Sequence, residues 1–128
     1  MNKVEFDISE KAVIVPVNLE IDGITARTDF IVDTGTSETL ICENRLRKMG
    51  LVRANSIDDV QIQAVGGNLT AYRYKIESIS ALGVTKPNMV VLAHPMPKGS
   101  GIDGLLGLDF FEDKVLTIDF KQAEISVN

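Results

Sequence analysis

The apolar pair Ile31-Val32 runs directly into Asp33-Thr34-Gly35-Thr36, and no other stretch of the chain restricts the fold as tightly. A carboxylate at the end of a buried strand loses solvent, so it needs hydrogen-bond donors or a charged partner to stay ionised. Thr34 and Thr36 offer hydroxyls, and Gly35 lets a backbone amide approach closely. That is the local chemistry of a carboxylate positioned for acid–base work. The same residues also make an ordinary β-turn in which Asp bonds its own backbone, and for an isolated Asp-Thr-Gly the turn is the simpler reading.

A second signal lies far downstream. Gly104-Leu105-Leu106-Gly107 is an apolar pair bracketed by glycines, and Leu108-Asp109-Phe110-Phe111 after it has the look of a short helix. Between the motifs the chain reads as β-structure punctuated by turns. Residues 13–21 alternate over their second half as a half-buried strand does, Asp22-Gly23 is a hairpin signal, and residues 24–32 return as the strand that delivers Asp33. Residues 39–42 make a short strand, residues 43–49 carry good helix formers, and Gly50 suits a helix C-terminus. Residues 60–65 alternate up to a tight turn at Gly66-Gly67-Asn68, and residues 69–82 run back as a long strand. After Gly83, residues 84–93 are expected to form one more hairpin around Lys86-Pro87-Asn88, followed by a Pro- and Gly-rich loop over 95–101. Residues 114–120 and 123–127 close the chain as strands on either side of Lys121-Gln122. With no linker or low-complexity segment, residues 1–128 are expected to be one domain.

Composition narrows the function classes. Hydrophobic residues at 45% suffice to fill one core, and a net charge of -5 with no basic run argues against nucleic-acid binding. Charges at Lys3, Glu5 and Asp7 stand where a secretion leader needs apolar residues, and no apolar run is long enough to span a membrane. Cys42 is the sole cysteine and His94 the sole histidine, so the chain offers neither an internal disulfide nor a histidine–cysteine metal cluster. A cytoplasmic location suits that cysteine usage. Cys42 is expected to be a small core residue and His94 an exposed loop residue, too far from the cysteine for a Cys-His hydrolase.

Together, the two motifs resemble those of the retropepsin-like aspartic proteases, the single-domain relatives of pepsin. That family pairs a loop of two hydrophobic residues, Asp, Thr or Ser, Gly, and Ser or Thr with a later hydrophobic pair and glycine leading into a helix. The resemblance covers most of the chain and implies a mostly β fold, a closed barrel with one or two short helices. A weak internal repeat agrees with the family's pseudo-two-fold. The first unit runs from Asp22-Gly23 through Asp33 to the helix, and the second from Gly83 through Leu105-Leu106-Gly107 to the next helix. Any glycine-punctuated meander would show similar spacing.

The resemblance implies a role for each matching residue. Asp33 is the catalytic carboxylate, Thr34 joins a hydroxyl network across a dimer axis, the Gly35 amide bonds the carboxylate, and Thr36 bonds its outer oxygen. Leu105, Leu106 and Gly107 pack beside this loop and hold it. Ala64, Val65, Gly66, Gly67 and Asn68 are the candidate flap over the substrate, although an ordinary hairpin turn reads the same way. No cofactor or metal is implied. Catalysis in this family needs two carboxylates and the chain has one such loop, so a homodimer acting on an extended peptide is expected. Residues 4–8 and 123–127 look like edge strands that could pair across chains. Of the other acids, Asp29 stands four residues upstream on the same strand, Asp103 is expected to turn its loop, and Asp109 to cap or begin the helix. Ser37-Glu38-Thr39 and the helix over 43–49 depart from the viral pattern and suit the bacterial and cellular branches. The alternative is a non-catalytic dimerisation or peptide-binding domain that keeps the fold. A protease domain working only within a larger assembly is a third reading.

Overall fold

The computed structural model describes residues 2–95 and 99–128. Its strands, in chain order, are β1 (Asn2–Glu5), β2 (Ile14–Ile21), β3 (Ile24–Val32), β4 (Leu40–Cys42), β5 (Asp58–Ala64), β6 (Gly67–Ala81), β7 (Val84–His94), β8 (Gly104–Leu106), β9 (Leu116–Asp119) and β10 (Glu124–Val127). Among the described residues the one α-helix, α1 (Glu43–Lys48), follows β4, and single 3₁₀ turns span Arg53–Asn55 and Leu108–Phe111. Residues 96–98 of the expected 95–101 loop lie outside the described residues.

Period-2 patterning sets the barrel wall. In β2, Val15, Val17, Leu19 and Ile21 are buried while Asn18 is exposed, as one face of a sheet against a core requires. The Asp22-Gly23 turn to β3 has φ of 51° and 76°, the two consecutive positive values of a type I′ turn. Leu82-Gly83 repeats it between β6 and β7, with φ of 54° and 78°. Leucine rarely accepts that backbone. Here its side chain is 4% exposed, so core burial offsets the local strain.

That turn corrects the expected hairpin around Lys86-Pro87-Asn88. All three lie within β7, and the β6–β7 register is unchanged from Ile79↔Lys86 to Ile76↔Met89. Asn88 takes a φ of 53° within the strand, a left-handed value that Asn adopts at low cost.

The strands run in the order β2-β3-β8-β4-β7-β6, and β6 pairs back onto β2 to close a six-stranded barrel. β3 is parallel to β8 and β4 is parallel to β7, while β4 and β8 pair antiparallel between them. Helix α1 ends in a Schellman arrangement: the Leu51 amide donates to the Leu46 carbonyl at 2.9 Å, the Gly50 amide to Arg47 at 3.1 Å, and Gly50 has φ 95°. Leu46 from this helix, Phe110 from the second 3₁₀ turn, and Phe30, Ile41, Tyr74, Ile76 and Leu106 are fully buried together.

The terminal strands form a separate sheet, β1-β10-β9. β10 is its middle strand, with Ile125 opposite Val4 on one side and Ile118 on the other. The expected free edge at residues 123–127 is therefore filled within the chain, because Ile125 and Val127 are buried there. β1 ends at Glu5, so only part of residues 4–8 is strand. Beyond it, Asp7 accepts bonds from the amide and hydroxyl of Ser9.

Candidate active site

β3 ends by handing its main chain to two neighbours. The Val32 amide donates to Val13 and the Asp33 amide to Leu106, each at 2.9 Å. Asp33 therefore starts its loop already fixed to β8. The chain then turns, with the Thr36 amide reaching the Asp33 carbonyl at 3.3 Å and the Gly35 amide donating to Asp33 Oδ1 at 2.9 Å. A Cβ at position 35 would stand 3.1 Å from that oxygen, a tight contact that a side chain could keep only if the carboxylate gave way slightly. Asp33 is half-buried, Thr34 is exposed, and among the described residues the Thr34 hydroxyl has no partner.

The second motif grips this loop from behind. The Leu108 amide donates to the Thr36 carbonyl at 2.9 Å and the Asp109 amide to Ser37 at 3.2 Å. A Cβ on Gly107 would lie 2.9 Å from the Thr36 oxygen and 2.9 Å from the Glu38 carbonyl carbon. The glycine is thus required for the two segments to touch. Gly104 is more confined still: its Cβ would collide with the Leu40 carbonyl oxygen and with the Phe30 ring. Leu105 and Leu106 stand beside Ile31 and Val32 in the parallel ladder, with Leu106 fully buried and Leu105 half-buried.

These contacts correct one sequence expectation and add to two others. The Thr36 hydroxyl donates to the Glu38 carbonyl at 3.1 Å and not to the Asp33 carboxylate, because the loop curls back on itself under Gly107. Asp109 stands in the first turn of the Leu108–Phe111 3₁₀ segment, as a residue that begins it should, but its carboxylate is engaged elsewhere. Its carboxylate accepts the Thr39 amide at 2.9–3.0 Å and the Thr39 hydroxyl at 2.7 Å. Thr39, fully buried, in turn accepts the Gly107 amide at 3.0 Å. Asp103 likewise does more than turn a loop: it accepts the Asp29 amide at 3.2 Å and Arg45 Nε at 3.1 Å, stapling β3 to α1. Asp29 itself is exposed on β3.

Cys42 and His94 are also closer than expected. They are register partners across the parallel β4–β7 ladder, and both are half-buried. The His94 Nδ1 lies 2.7 Å from the Pro95 carbonyl, and no hydrogen bond joins the two side chains among the described residues. The candidate flap is the β5–β6 hairpin, closed by Val65-Gly66 with Ala64 opposite Gly67. Val65 at its tip is fully exposed.

One functional pairing escaped sequence reading. Arg73 on β6 forks onto Glu38 of the loop, Nη2 to Oε1 at 3.1 Å and Nε to Oε2 at 3.2 Å, and its Nη1 reaches Asp58 at 3.3 Å. The Glu38 bond chiefly, and Asp58 after it, raise the Arg73 guanidinium above its ordinary range. Asp58 and Arg73 are direct cross-strand partners, a charge pair visible once the hairpin register is known. Nothing in the sequence links Glu38 to either.

The ladders also give Asp33 a counterpart. β3 and β8 end their pairing at Val32↔Leu106, and β7 and β4 end theirs at His94↔Cys42. The next residue is Asp33 in one half and Pro95 in the other. The second half of the barrel thus holds no carboxylate at the equivalent place.

The family model described as "Aspartyl protease" matches residues 17–110. The crystal structure of a retropepsin-like aspartic protease from Rickettsia conorii superposes with a TM-score of 0.72 over 98% of this chain and 88% of that one, at 17% sequence identity. At that identity the likeness establishes the retropepsin-like barrel fold. No curated protein matches the sequence.

Proposed function

Because the chain belongs to the aspartyl protease family, we propose that it is an aspartic endopeptidase whose active site is assembled from the Asp33 carboxylates of two copies. The observation that carries this reading is the pairing of Asp33 with Pro95 at equivalent positions of the two half-barrels. One chain supplies one carboxylate on a rigid mount, and the second has to come from a symmetry mate.

Facing carboxylates repel when both are ionised, so such a pair holds one proton between them. The charged Asp33 takes a proton from water as that water attacks the peptide carbonyl carbon. The protonated partner gives its proton to the carbonyl oxygen. The tetrahedral diol then collapses, breaking the C–N bond, with a proton passed to the leaving nitrogen. The Gly35 amide steadies the carboxylate, and the unpartnered Thr34 hydroxyl bonds across the axis. An extended peptide lies in the cleft as an added strand beneath the β5–β6 hairpin, which closes to exclude water.

Subunit mixing tests this arrangement. Adding excess inactive Asp33→Asn chains to wild type, with time for exchange, should draw wild-type chains into mixed dimers and suppress peptide cleavage. Cleavage that stays proportional to wild-type chain alone would mean that each chain works by itself.

A further inference from the structure

β6 belongs to two structures at once. Its first part, from Gly67 to Arg73, pairs with β5 in the projecting hairpin, and from Tyr72 onward it pairs with β7 in the barrel wall. Arg73 stands where these ladders overlap, and its carbonyl accepts the Ile57 amide at 2.7 Å just as β5 begins. A hairpin that flexed against the barrel would bend there. From this hinge to the tip is six residues of strand, roughly 20 Å at about 3.3 Å per residue.

The Arg73 guanidinium leaves the hinge in two directions. One edge meets both oxygens of Glu38, and the remaining nitrogen meets Asp58 across the hairpin. The Arg73 and Glu38 side chains are 27% and 36% exposed, so solvent screens the pair in part and its geometry matters more than its energy. Among the described residues the Glu38 carboxylate bonds Arg73 alone. Its main chain sits inside the Asp33 loop, where its carbonyl accepts the Thr36 hydroxyl and abuts Gly107. A continuous chain of contacts therefore runs from hairpin hinge to catalytic loop.

We propose that Arg73 is a positioning residue that couples movement of the β5–β6 hairpin to the loop carrying Asp33, acting through Glu38. The inference rests on the protease reading for its catalytic consequence, but the mechanical link stands on the geometry alone. A bidentate fork transmits orientation as well as attraction. Lysine, with a single compact ammonium, would keep the charge and lose the fork.

The Arg53–Glu43 pair is an internal control. It too is a fork, at 2.9 and 3.0 Å, and Arg53 stacks 4.6 Å over Tyr72 of β6. It ends on α1 and touches no residue of the Asp33 loop. Amide hydrogen exchange on the full chain, with peptide-cleavage kinetics beside it, separates the cases for Arg73→Gln, Arg73→Lys, Glu38→Gln and Arg53→Gln. Arg73→Gln and Glu38→Gln should each speed exchange roughly three- to tenfold in both residues 34–39 and residues 59–70, while raising KM and lowering kcat together. Arg73→Lys should behave like Arg73→Gln, and Arg53→Gln should leave loop exchange and KM as in wild type. Exchange confined to the hairpin in Arg73→Gln, or rescue by lysine, would overturn the proposal. If wild type cleaves no peptide, the protease reading fails, and the exchange data still decide whether hinge and loop are coupled.

Discussion

At matching places on the two parallel ladders, one half of the barrel carries Asp33 and the other carries Pro95. The halves are otherwise built alike. Each opens with a hairpin closed by a type I′ turn, runs a long strand into a parallel pairing, and returns through a three-residue strand into a helical segment. Their loops differ. The Asp33 amide donates to Leu106, whereas proline has no N–H to make the equivalent bond. The first loop is short and bonded to the opposite half along its length. The second half gives it amides from Leu108 and Asp109 and the surface of Gly107. One half carries Asp33 and the other clamps its loop.

Breaking the clamp should have the largest effect. Gly104→Ala forces a Cβ into the Leu40 carbonyl and the Phe30 ring at the seam of the two halves. Backbone cannot yield there as a flexible side chain can, so the cost should be about 3 kcal/mol or more. Denaturant unfolding measures it, and a near-neutral result would show that the seam is looser than the contacts describe.

A smaller effect should follow from loosening the clamp without adding bulk. Thr39→Val keeps the shape but removes the hydroxyl that accepts the Gly107 amide and donates to Asp109. A buried amide left unpaired costs about 1–3 kcal/mol. The same unfolding experiment reads it, and peptide cleavage should fall with it because Gly107 abuts the Asp33 loop. Unchanged stability would mean that the hydroxyl is dispensable to the clamp.

The smallest effect concerns a buried polar group with no such partner. Tyr74, on β6, is 1% exposed, and its hydroxyl bonds nothing among the described residues. Burial pushes its phenol above the ordinary tyrosine range. The unfolded chain therefore loses this proton first as pH rises. Its contribution to stability is constant below about pH 10 and declines above that until the folded group also ionises. Tyr74→Phe should be neutral or stabilising by up to about 1 kcal/mol at pH 7 and should lessen the decline above pH 10. A destabilising Tyr74→Phe would show that the hydroxyl is bonded after all.

The contrast between local and distant contacts also explains what could be read from sequence. Asp22-Gly23, the alternation of β2 and the Gly35 amide on Asp33 are all set by residues within a few positions of one another. The glycines of the second motif were visible as a pattern, but what they touch was not. Asp109 meets Thr39, Asp103 meets Asp29 and Arg45, and Glu38 meets Arg73 only because the barrel closes. Lys86-Pro87-Asn88 carries turn chemistry yet lies in a strand, since core burial of Leu82 closes the hairpin earlier. Tertiary packing overrode local preference at that point.

If Asp33 bears the chemistry and its surroundings hold it in place, removing its charge alone should stop cleavage. Asp33→Asn keeps the size and the acceptor for the Gly35 amide but cannot take a proton from water. Peptide cleavage and thermal unfolding, measured side by side on wild type and Asp33→Asn, test this directly. Cleavage should fall by about 10²- to 10⁴-fold or more with the fold intact. Cleavage at the wild-type rate by a folded Asp33→Asn protein would contradict that role for Asp33.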